Sequence, residues 1–385
     1  MTRNDPVPGT PGVTSALENK TPLLPSLESG SRILIIRLRS MGDTVLLTPA
    51  LRLLKQWRND LRVSVLVEPR FRELLEGNPR VDETLSAVEG SGLQKAWRQA
   101  QLIRALRARK FAVCLNVHGG PTSAWLTRLS GARWKAGFEH FRSRRLYDFA
   151  VPDARRVLGQ EIVHTAEHQA AALFWLGLPR QPVPPAEVFV SEAGRRDWQQ
   201  ERKRLGLAPH GSIALLHPPA LYATKQWPAE RFAQLGCYVE EQLGLTPVFS
   251  CGPGESTCLD EVERAAGRAV CRLDSPPLAM FVAAIADSRL FVGNDSGPAH
   301  LAAAFRKPLV VIFGSSNERI WRPWSGSGQA QVGGSPFRTV QNSYSCNPCR
   351  GDRCTSFERP ECILSVTFDQ ARAAVESVAS AVAQR

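Results

Sequence analysis

At 385 residues the chain is too long for one ordinary hydrophobic core, and it fits two domains with connectors. With 43% hydrophobic and 22% charged residues the composition is globular, and no apolar stretch reaches the length of a membrane-spanning helix. The net charge of +12 is concentrated in residues 1–190, which hold 27 Lys and Arg against 17 Asp and Glu. This basic half either faces a negatively charged partner or merely aids solubility.

The chain begins with 30 residues rich in Pro, Gly, Ser and Thr, which lack the basic start and apolar core of a signal peptide. We predict a disordered tail over 1–30. The run RILII at 32–36 is typical of a parallel strand buried on both faces, and apolar spacing from Leu46 to Trp57 indicates a helix. Alternating elements follow, which predicts a doubly wound domain over 31–176: strands 63–67, 84–88 and 111–117, with a helix over 93–110.

The second half repeats this alternation after a proline-dense segment that cannot continue a helix, so residues 177–210 are predicted as a connector. The second domain, over 211–366, has predicted strands at 213–216, 247–250, 270–273, 290–292 and 309–313. Its predicted helices are 229–243, 255–267, 278–287 and 298–305. An Ala-rich amphipathic stretch predicts a closing helix over 367–385, with packing back across the first domain as one option.

Ligands of open α/β sheets bind at the carboxyl ends of the strands, so the loops there carry the candidate chemistry. After the first strand, Gly42 permits close approach of the backbone to a ligand, and Asp43 stands at a helix start. Two interpretations of Asp43 remain open. It is a helix cap, or it is a general base that takes the proton of a hydroxyl bound in the cleft.

Three loops of the second half add candidate contacts for a nucleotide. The run 293–300, GNDSGPAH, opens a helix and offers free backbone N–H groups to a diphosphate, although a capped turn with a buried histidine explains it equally well. Lys225 could neutralise a departing diphosphate, but exposed lysines are common. Glu255 follows another strand and could reach a nucleoside. G-x-G-x-x-G is absent after the first strand of either half, so no dinucleotide fingerprint is indicated.

Together these motifs resemble glycosyltransferase family 9, the lipopolysaccharide heptosyltransferases, over about residues 32–365. The most specific segments are SMGD at 40–43, TPAL at 48–51, KQWP at 225–228, NDSGPAH at 294–300 and PLVVIFG at 308–314. The run IWRPW at 320–324 resembles the branch that adds the third core heptose.

The resemblance implies an α/β protein of the GT-B fold, with two Rossmann-like doubly wound parallel-sheet domains facing across a cleft. The acceptor domain comes first and the nucleotide-sugar domain second. The implied reaction is inverting transfer of heptose from ADP-L-glycero-D-manno-heptose to an anionic lipopolysaccharide core or related envelope glycan. The implied partners are that donor, a phosphorylated lipid-linked acceptor and the inner membrane surface, which the enzyme meets as a peripheral cytoplasmic protein.

The resemblance also implies residue roles. Asp43 is the expected base, and no catalytic metal is expected because the chain has no D-x-D triplet. The expected acceptor-binding residues are Arg37, Arg39 and His118. Asn116 and His118-Gly119 depart from the usual family pattern, which leaves the acceptor open. The expected donor-binding residues are Gly42, Lys225, Glu255, Asp295, Ser296, Gly297 and His300.

Four cysteines fall close together in a segment with several turn residues, the loop 346–362. The spacing of Cys346, Cys349, Cys354 and Cys362 is compatible with a structural zinc or iron site, with disulfides, or with free thiols. The chain holds nine cysteines without a secretory signal, which predicts a reducing compartment.

Two rival functions are weighed. A basic nucleic-acid-binding α/β protein would explain the charged first half, but its arginines are spread over several elements without a reading module or stacking platform, so no nucleic acid is expected. A glycosyltransferase of the same fold that uses a UDP- or GDP-linked hexose is nearer. The sequence does not separate it from a heptosyltransferase, since the diphosphate contacts are shared.

Overall fold

The computed structural model describes residues 22–208, 212–327, 337–349 and 352–383. Within these ranges, none of the helices combines the length and the apolar composition that crossing a bilayer requires. The first half contains the strands β1 (Arg32–Ile36), β2 (Arg62–Val67), β3 (Glu83–Ser86), β4 (Val113–Asn116), β5 (Trp134–Phe138) and β6 (Phe149–Val151). Its helices are α1 (Met41–Val45), α2 (Thr48–Trp57), α3 (Gly92–Ala108), α4 (Pro121–Leu129), α5 (Ala154–Leu158) and α6 (Thr165–Trp175).

These strands form one parallel sheet in the order β3-β2-β1-β4-β5-β6. β1 lies between β2 and β4, and Ile35 is aligned with Val65 on one side and Leu115 on the other. A central parallel strand is covered on both faces, which explains the uninterrupted apolar run. The predicted doubly wound arrangement is confirmed, although β5 and β6 were not predicted.

The second half begins with α7 (Glu192–Arg204), which lies within the predicted connector. The strands β7 (Ile213–His217), β8 (Thr246–Cys251), β9 (Cys271–Asp274), β10 (Leu290–Asn294), β11 (Leu309–Ile312) and β12 (Phe337–Val340) follow. They form a second parallel sheet in the order β12-β11-β10-β7-β8-β9. The helices are α8 (Ala229–Leu243), α9 (Ser256–Ala266), α10 (Leu278–Asp287), α11 (Gly297–Ala304), α12 (Glu318–Trp321), α13 (Glu361–Leu364) and α14 (Phe368–Ala383).

The two halves share buried apolar packing. Val45 at the end of α1 and Phe71 and Leu74 of the 3-10 segment Pro69–Leu75 belong to the same hydrophobic cluster as Phe281 and Leu301 of the second half. The side-chain carboxylate of Glu73 also accepts a hydrogen bond from the backbone N–H of Ala279, at 2.6 Å. These contacts fix the start of α1 against the start of α11, where both functional loops lie.

The closing helix packs on the second domain. Ala371, Val375 and Val378 of α14 are buried in one cluster with Leu216 of β7 and Val310 of β11. The option that this helix crosses back over the first domain is therefore wrong. Its apolar stripe completes the core of the sheet that precedes it in sequence.

Part of the predicted tail is packed. Residues 1–21 lie outside the described ranges, but Leu23 and Leu24 are buried in the first core, and the N–H of Leu24 donates to the carbonyl of Leu176 at 2.9 Å. Disorder over all of 1–30 is thus wrong for the part that the structure describes. The two leucines contribute apolar area that the surrounding Pro, Ser and Gly concealed in the composition.

We expect Leu24→Ala to destabilise the folded chain by about 2–5 kcal/mol, the usual cost of truncating a buried leucine. Leu93→Ala is the matched control, because Leu93 is 90% exposed and its loss should cost less than about 0.5 kcal/mol. Urea unfolding measures both. Equal midpoints for Leu24→Ala and the control would show that this segment does not contribute to the core.

Candidate active site

The first loop leads from β1 into α1 and holds Asp43. Ser40 is the N-cap of α1, and its hydroxyl accepts from the N–H of Asp43 at 3.4 Å and donates to Oδ2 of Asp43 at 3.1 Å. The carboxylate also forms an ion pair with the guanidinium of Arg37. Since Ser40 caps the helix, the carboxylate of Asp43 is not consumed by capping. Its Oδ1 is buried and has no hydrogen-bond partner among the described residues.

The second loop leads from β10 into α11 and is built around Ser296. This residue is the N-cap of α11, yet its side chain makes no capping hydrogen bond. Its Oγ is buried and unpartnered within the described part of the chain. Pro298 occupies the first turn, so the first amides of the helix, together with this hydroxyl, form a set of donors at its positive end.

Lys225 faces the same loop from the short 3-10 turn Ala223–Lys225. Its Nζ lies 2.7 Å from Oδ2 of Asp295, whose side chain is only 6% exposed. Asn294 joins the two loops, because its Nδ2 donates to the carbonyl of Pro218 at 2.6 Å and its Oδ1 accepts from the N–H of Trp227 at 3.2 Å. A cation is thereby held beside the start of α11.

The two loops touch each other across the domains. A methyl group at Gly42 would lie 2.6 Å from Cδ2 of His300, and one at Gly297 would lie 2.7 Å from Cβ of Met41. Both positions therefore need glycine for contact between the loops. Gly42 was predicted to allow close approach of a ligand, but it is packed directly against His300.

His300 lies inside this contact. Burial lowers the pKa of its imidazole, so the ring is neutral near pH 7. Its Nδ1 is buried without a hydrogen-bond partner in the part of the chain that the structure describes. The ring therefore supports both glycine-containing loops and retains one unused polar atom.

The predicted acceptor residues surround Asp43 unequally. Nη1 of Arg37 donates to the carbonyl of Val117 at 2.7 Å, which joins the loop of β1 to the loop after β4. Burial, and then the charge of Arg37, lowers the pKa of His118 to about 4. Arg39 lies on the rim, where its side chain is 73% exposed and pairs with Glu68 at 3.2 Å.

Asn116 shapes the loop that carries His118. Its Oδ1 accepts from the backbone N–H of His118 at 2.9 Å and of Gly119 at 3.2 Å. Its Nδ2 donates to Ser123 and Tyr147, and the residue is fully buried. An amide supplies donors and an acceptor at once, which explains how a neutral residue organises this turn.

Glu255 is not joined to the other donor-side candidates by any described hydrogen bond or ion pair. It precedes α9, and its Oε2 accepts from the N–H of Gly252 at 2.8 Å within the same loop. Contact of Glu255 with a nucleoside stays a prediction.

Sequence reasoning missed several supporting residues. Gln169 of α6 is buried, and its Nε2 donates to the carbonyl of Asp43 at 3.2 Å. Oγ of Ser315, after β11, lies 3.1 Å from the hydroxyl of Thr224 and so supports the turn of Lys225. Asn294 stood inside a recognised motif, so its role could have been inferred. Gln169 gave no signal, because its partner is 126 positions away in the chain.

The cysteine loop does not form the predicted metal site. All four thiols are free, and within the described residues no group of three or more His, Cys, Asp or Glu side chains is placed to hold a metal ion. The chain is tied there by other groups: the N–H of Cys349 donates to the carbonyl of Ser315 at 3.0 Å, and Cys362 is buried in α13. The prediction of structural zinc or iron is therefore not supported.

Comparison with known families decides the class. Residues 99–354 match the model of "Glycosyltransferase family 9 (heptosyltransferase)", which is well over half of the chain. The chain belongs to glycosyltransferase family 9. The resemblance seen in the motifs is thereby confirmed, and this family 9 protein is an enzyme of the glycosyltransferase class.

The glycosyltransferase is similar to several named proteins. It is 26% identical over 296 residues to "Lipopolysaccharide heptosyltransferase 3" of Escherichia coli strain K12, covering 75% of this chain and 84% of that protein. The solved Escherichia coli "ADP-heptose lps heptosyltransferase II" superposes with a TM-score of 0.69 at 18% identity, covering 90% and 99% of the two chains. The Escherichia coli heptosyltransferase WaaC "with ADP-2-deoxy-2-fluoro heptose" gives 0.65 at 17%, with the same coverage. The predicted GT-B fold is confirmed.

Proposed function

We propose that this enzyme transfers heptose from ADP-L-glycero-D-manno-heptose to an anionic lipopolysaccharide core acceptor, with inversion at the anomeric carbon. The contact between the start of α1 and the start of α11 carries the proposal, because it places Asp43 beside Ser296, Gly297 and Lys225. The names of the relatives support it, and the WaaC structure holds an ADP-heptose analogue on the same fold.

The donor diphosphate would lie at the start of α11. The amides of Ser296 and Gly297 and the free hydroxyl of Ser296 are donors at the positive end of a helix, which favours a phosphate group. Lys225 adds a full positive charge and would stabilise the departing ADP without a metal. Asp295 would then contact the heptose, while Glu255 would face the ribose or adenine.

The acceptor would enter from the side of Arg37, Arg39 and His118, whose guanidinium groups suit phosphate or carboxylate substituents. The unpartnered Oδ1 of Asp43 would take the proton of the attacking hydroxyl. The hydroxyl oxygen forms its bond to the anomeric carbon as the bond to the diphosphate oxygen breaks on the opposite face. ADP departs with the bonding electrons, and one displacement inverts the configuration.

The division of labour follows from these placements. We assign acceptor binding to residues 31–176 and donor binding to residues 211–366, with 177–210 as the segment between them. The acceptor would be a phosphorylated lipid-linked saccharide, which the enzyme meets at the inner face of the inner membrane. The similarity to a heptosyltransferase 3 supports the third core heptose as the sugar that is added.

A panel of nucleotides and nucleotide sugars tests the donor. We expect ADP and ADP-heptose to raise the Tm by about 5 °C or more at a hundredfold excess over Kd, and UDP, GDP and their hexoses to raise it little. Transfer of heptose to purified core acceptors, followed by mass spectrometry, tests the reaction. Stabilisation by UDP- or GDP-hexose alone would establish the rival sugar. Binding of duplex or single-stranded RNA without any nucleotide effect would establish the rival class.

A further inference from the structure

Helix α3 carries an apolar side that points away from the protein. Leu106 is its only fully buried residue, and Leu102 and Ile103 pack partly beside it. Leu93 is 90% exposed and Trp97 is 63% exposed. Large apolar side chains with that much exposure, one helical turn apart, indicate a surface that meets another apolar phase.

The helix geometry places these residues on one side. At 3.6 residues per turn, Trp97 lies about 180° and Leu93 about 140° around the axis from the buried Leu106. Arg104, at about 160°, shares that outer side. A helix that only packs on its own core carries a polar outer face. In α3 the outer face is apolar and basic, the pattern of a helix that lies in a membrane interface.

Helix α4 extends this surface toward the acceptor side. It lies next to α3, since Nε of Arg107 donates to the carbonyl of Leu129 at 3.0 Å. Trp125 is 57% exposed, and Arg128, three positions later, is exposed as well. The helix begins directly after the loop that carries His118, so its exposed side lies near the predicted acceptor-binding loop.

The charge of this region is of one sign. Between residues 90 and 138 the sequence has no Asp or Glu and nine Lys and Arg. Arg109 and Lys135 pair with carboxylates that lie outside this stretch. The exposed cations beside the apolar residues are Lys95, Arg98, Arg104 and Arg128.

We propose that the outer face of α3 and α4, here called the α3–α4 surface, docks this enzyme on an anionic lipid bilayer. Trp97, Leu93 and Trp125 enter the boundary between headgroups and acyl chains, while the cations contact lipid phosphates. The inference rests on the proposed function in one respect: docking brings the loop of His118 to a lipid-linked acceptor.

The charge selects lipid over other occupants. In a symmetric pair of chains the same surface would meet itself and oppose its own positive charges, which is unfavourable. Single strands of nucleic acid are bound in basic grooves lined with stacking aromatics, whereas these side chains stand on the outer faces of helices. An anionic bilayer satisfies both the apolar and the basic residues at once.

Flotation with vesicles tests the proposal. We expect the full chain to float with vesicles of phosphatidylethanolamine and phosphatidylglycerol, and less with phosphatidylcholine alone or in high salt. The double variant Leu93→Gln with Trp97→Gln should bind at least about tenfold more weakly. Lys95→Gln with Arg98→Gln should lose about fivefold per charge.

Matched controls lie on the second half of the chain. Phe357→Gln removes an exposed aromatic residue, and Arg195→Gln with Arg196→Gln removes two exposed charges from α7. Both should bind vesicles like the wild type. Equal binding by the α3 variants and these controls would overturn the proposal. It would also be overturned if the α3 variants separated a dimer in sedimentation, or released RNA, without any effect on vesicles.

The two proposals fail separately. Vesicle binding requires no sugar, and ADP affinity requires no lipid. Loss of docking in the α3 variants with intact transfer to a delipidated acceptor supports the docking surface. If wild-type chains fail to float but still transfer heptose, only the α3–α4 surface is wrong. If they float but transfer nothing from ADP-heptose, only the proposed reaction is wrong.

Discussion

Asp43→Asn is expected to lower turnover by about 100- to 10,000-fold, the range for loss of a general base. The amide has nearly the same shape as the carboxylate but cannot accept the proton of the acceptor hydroxyl. Arg37 keeps its hydrogen bond to the carbonyl of Val117, so the loop retains an anchor. Single-turnover transfer of heptose measures the chemical step, and calorimetry with ADP should give a Kd within about twofold of wild type.

Ser40→Ala is the matched control for that substitution. It removes the hydroxyl that caps α1 and donates to Oδ2, yet it leaves the carboxylate in place. We expect a stability loss of about 1 kcal/mol and a loss of turnover below about tenfold. If Asp43→Asn and Ser40→Ala were equally active, Asp43 would not be the base.

Lys225→Met is expected to weaken ADP binding by about 10- to 150-fold, which corresponds to loss of one hydrogen bond to a charged group. Methionine keeps most of the length of lysine but removes its charge. The substitution also leaves the carboxylate of Asp295, 6% exposed, beside the expected diphosphate without its partner. Calorimetry with ADP measures the effect directly and needs no acceptor.

Lys203→Met separates this effect from a general loss of positive charge, because Lys203 is exposed on α7, away from the loops of the candidate site. Its ADP affinity should equal that of wild type. Thermal unfolding without nucleotide shows whether Lys225→Met is folded at the assay temperature. A folded Lys225→Met protein with unchanged ADP affinity would remove Lys225 from the donor site.

The sequence supports prediction where local chemistry decides the structure. The continuous apolar runs of β1 and β11 have no other stable location than the centre of a parallel sheet. The edge strands β6 and β12 and the neighbouring β5 were missed. Lys135 and Gly137 interrupt the apolar pattern of β5, and the residues of β12 are all half-buried. Edge strands need less burial, so their pattern is weaker.

The candidate site was predictable in its parts but not in its assembly. Asp43 and Ser296 stand in loops that a sheet of this type uses for ligands, so each could be found separately. Their proximity depends on the packing of α1 against α11, which joins positions about 250 residues apart in sequence. The contact of Gly42 with His300 belongs to this tertiary level. A glycine in a sequence does not tell whether it makes room for a ligand or for a side chain.

A crystal structure of Asp43→Asn with ADP-2-deoxy-2-fluoro heptose tests the central claim most directly. We predict diphosphate oxygens within hydrogen-bond distance of the amides of Ser296 and Gly297 and of Nζ of Lys225, with the anomeric carbon turned toward residue 43. A diphosphate bound elsewhere, or an anomeric carbon that faces away from residue 43 with the domains closed, would contradict the account.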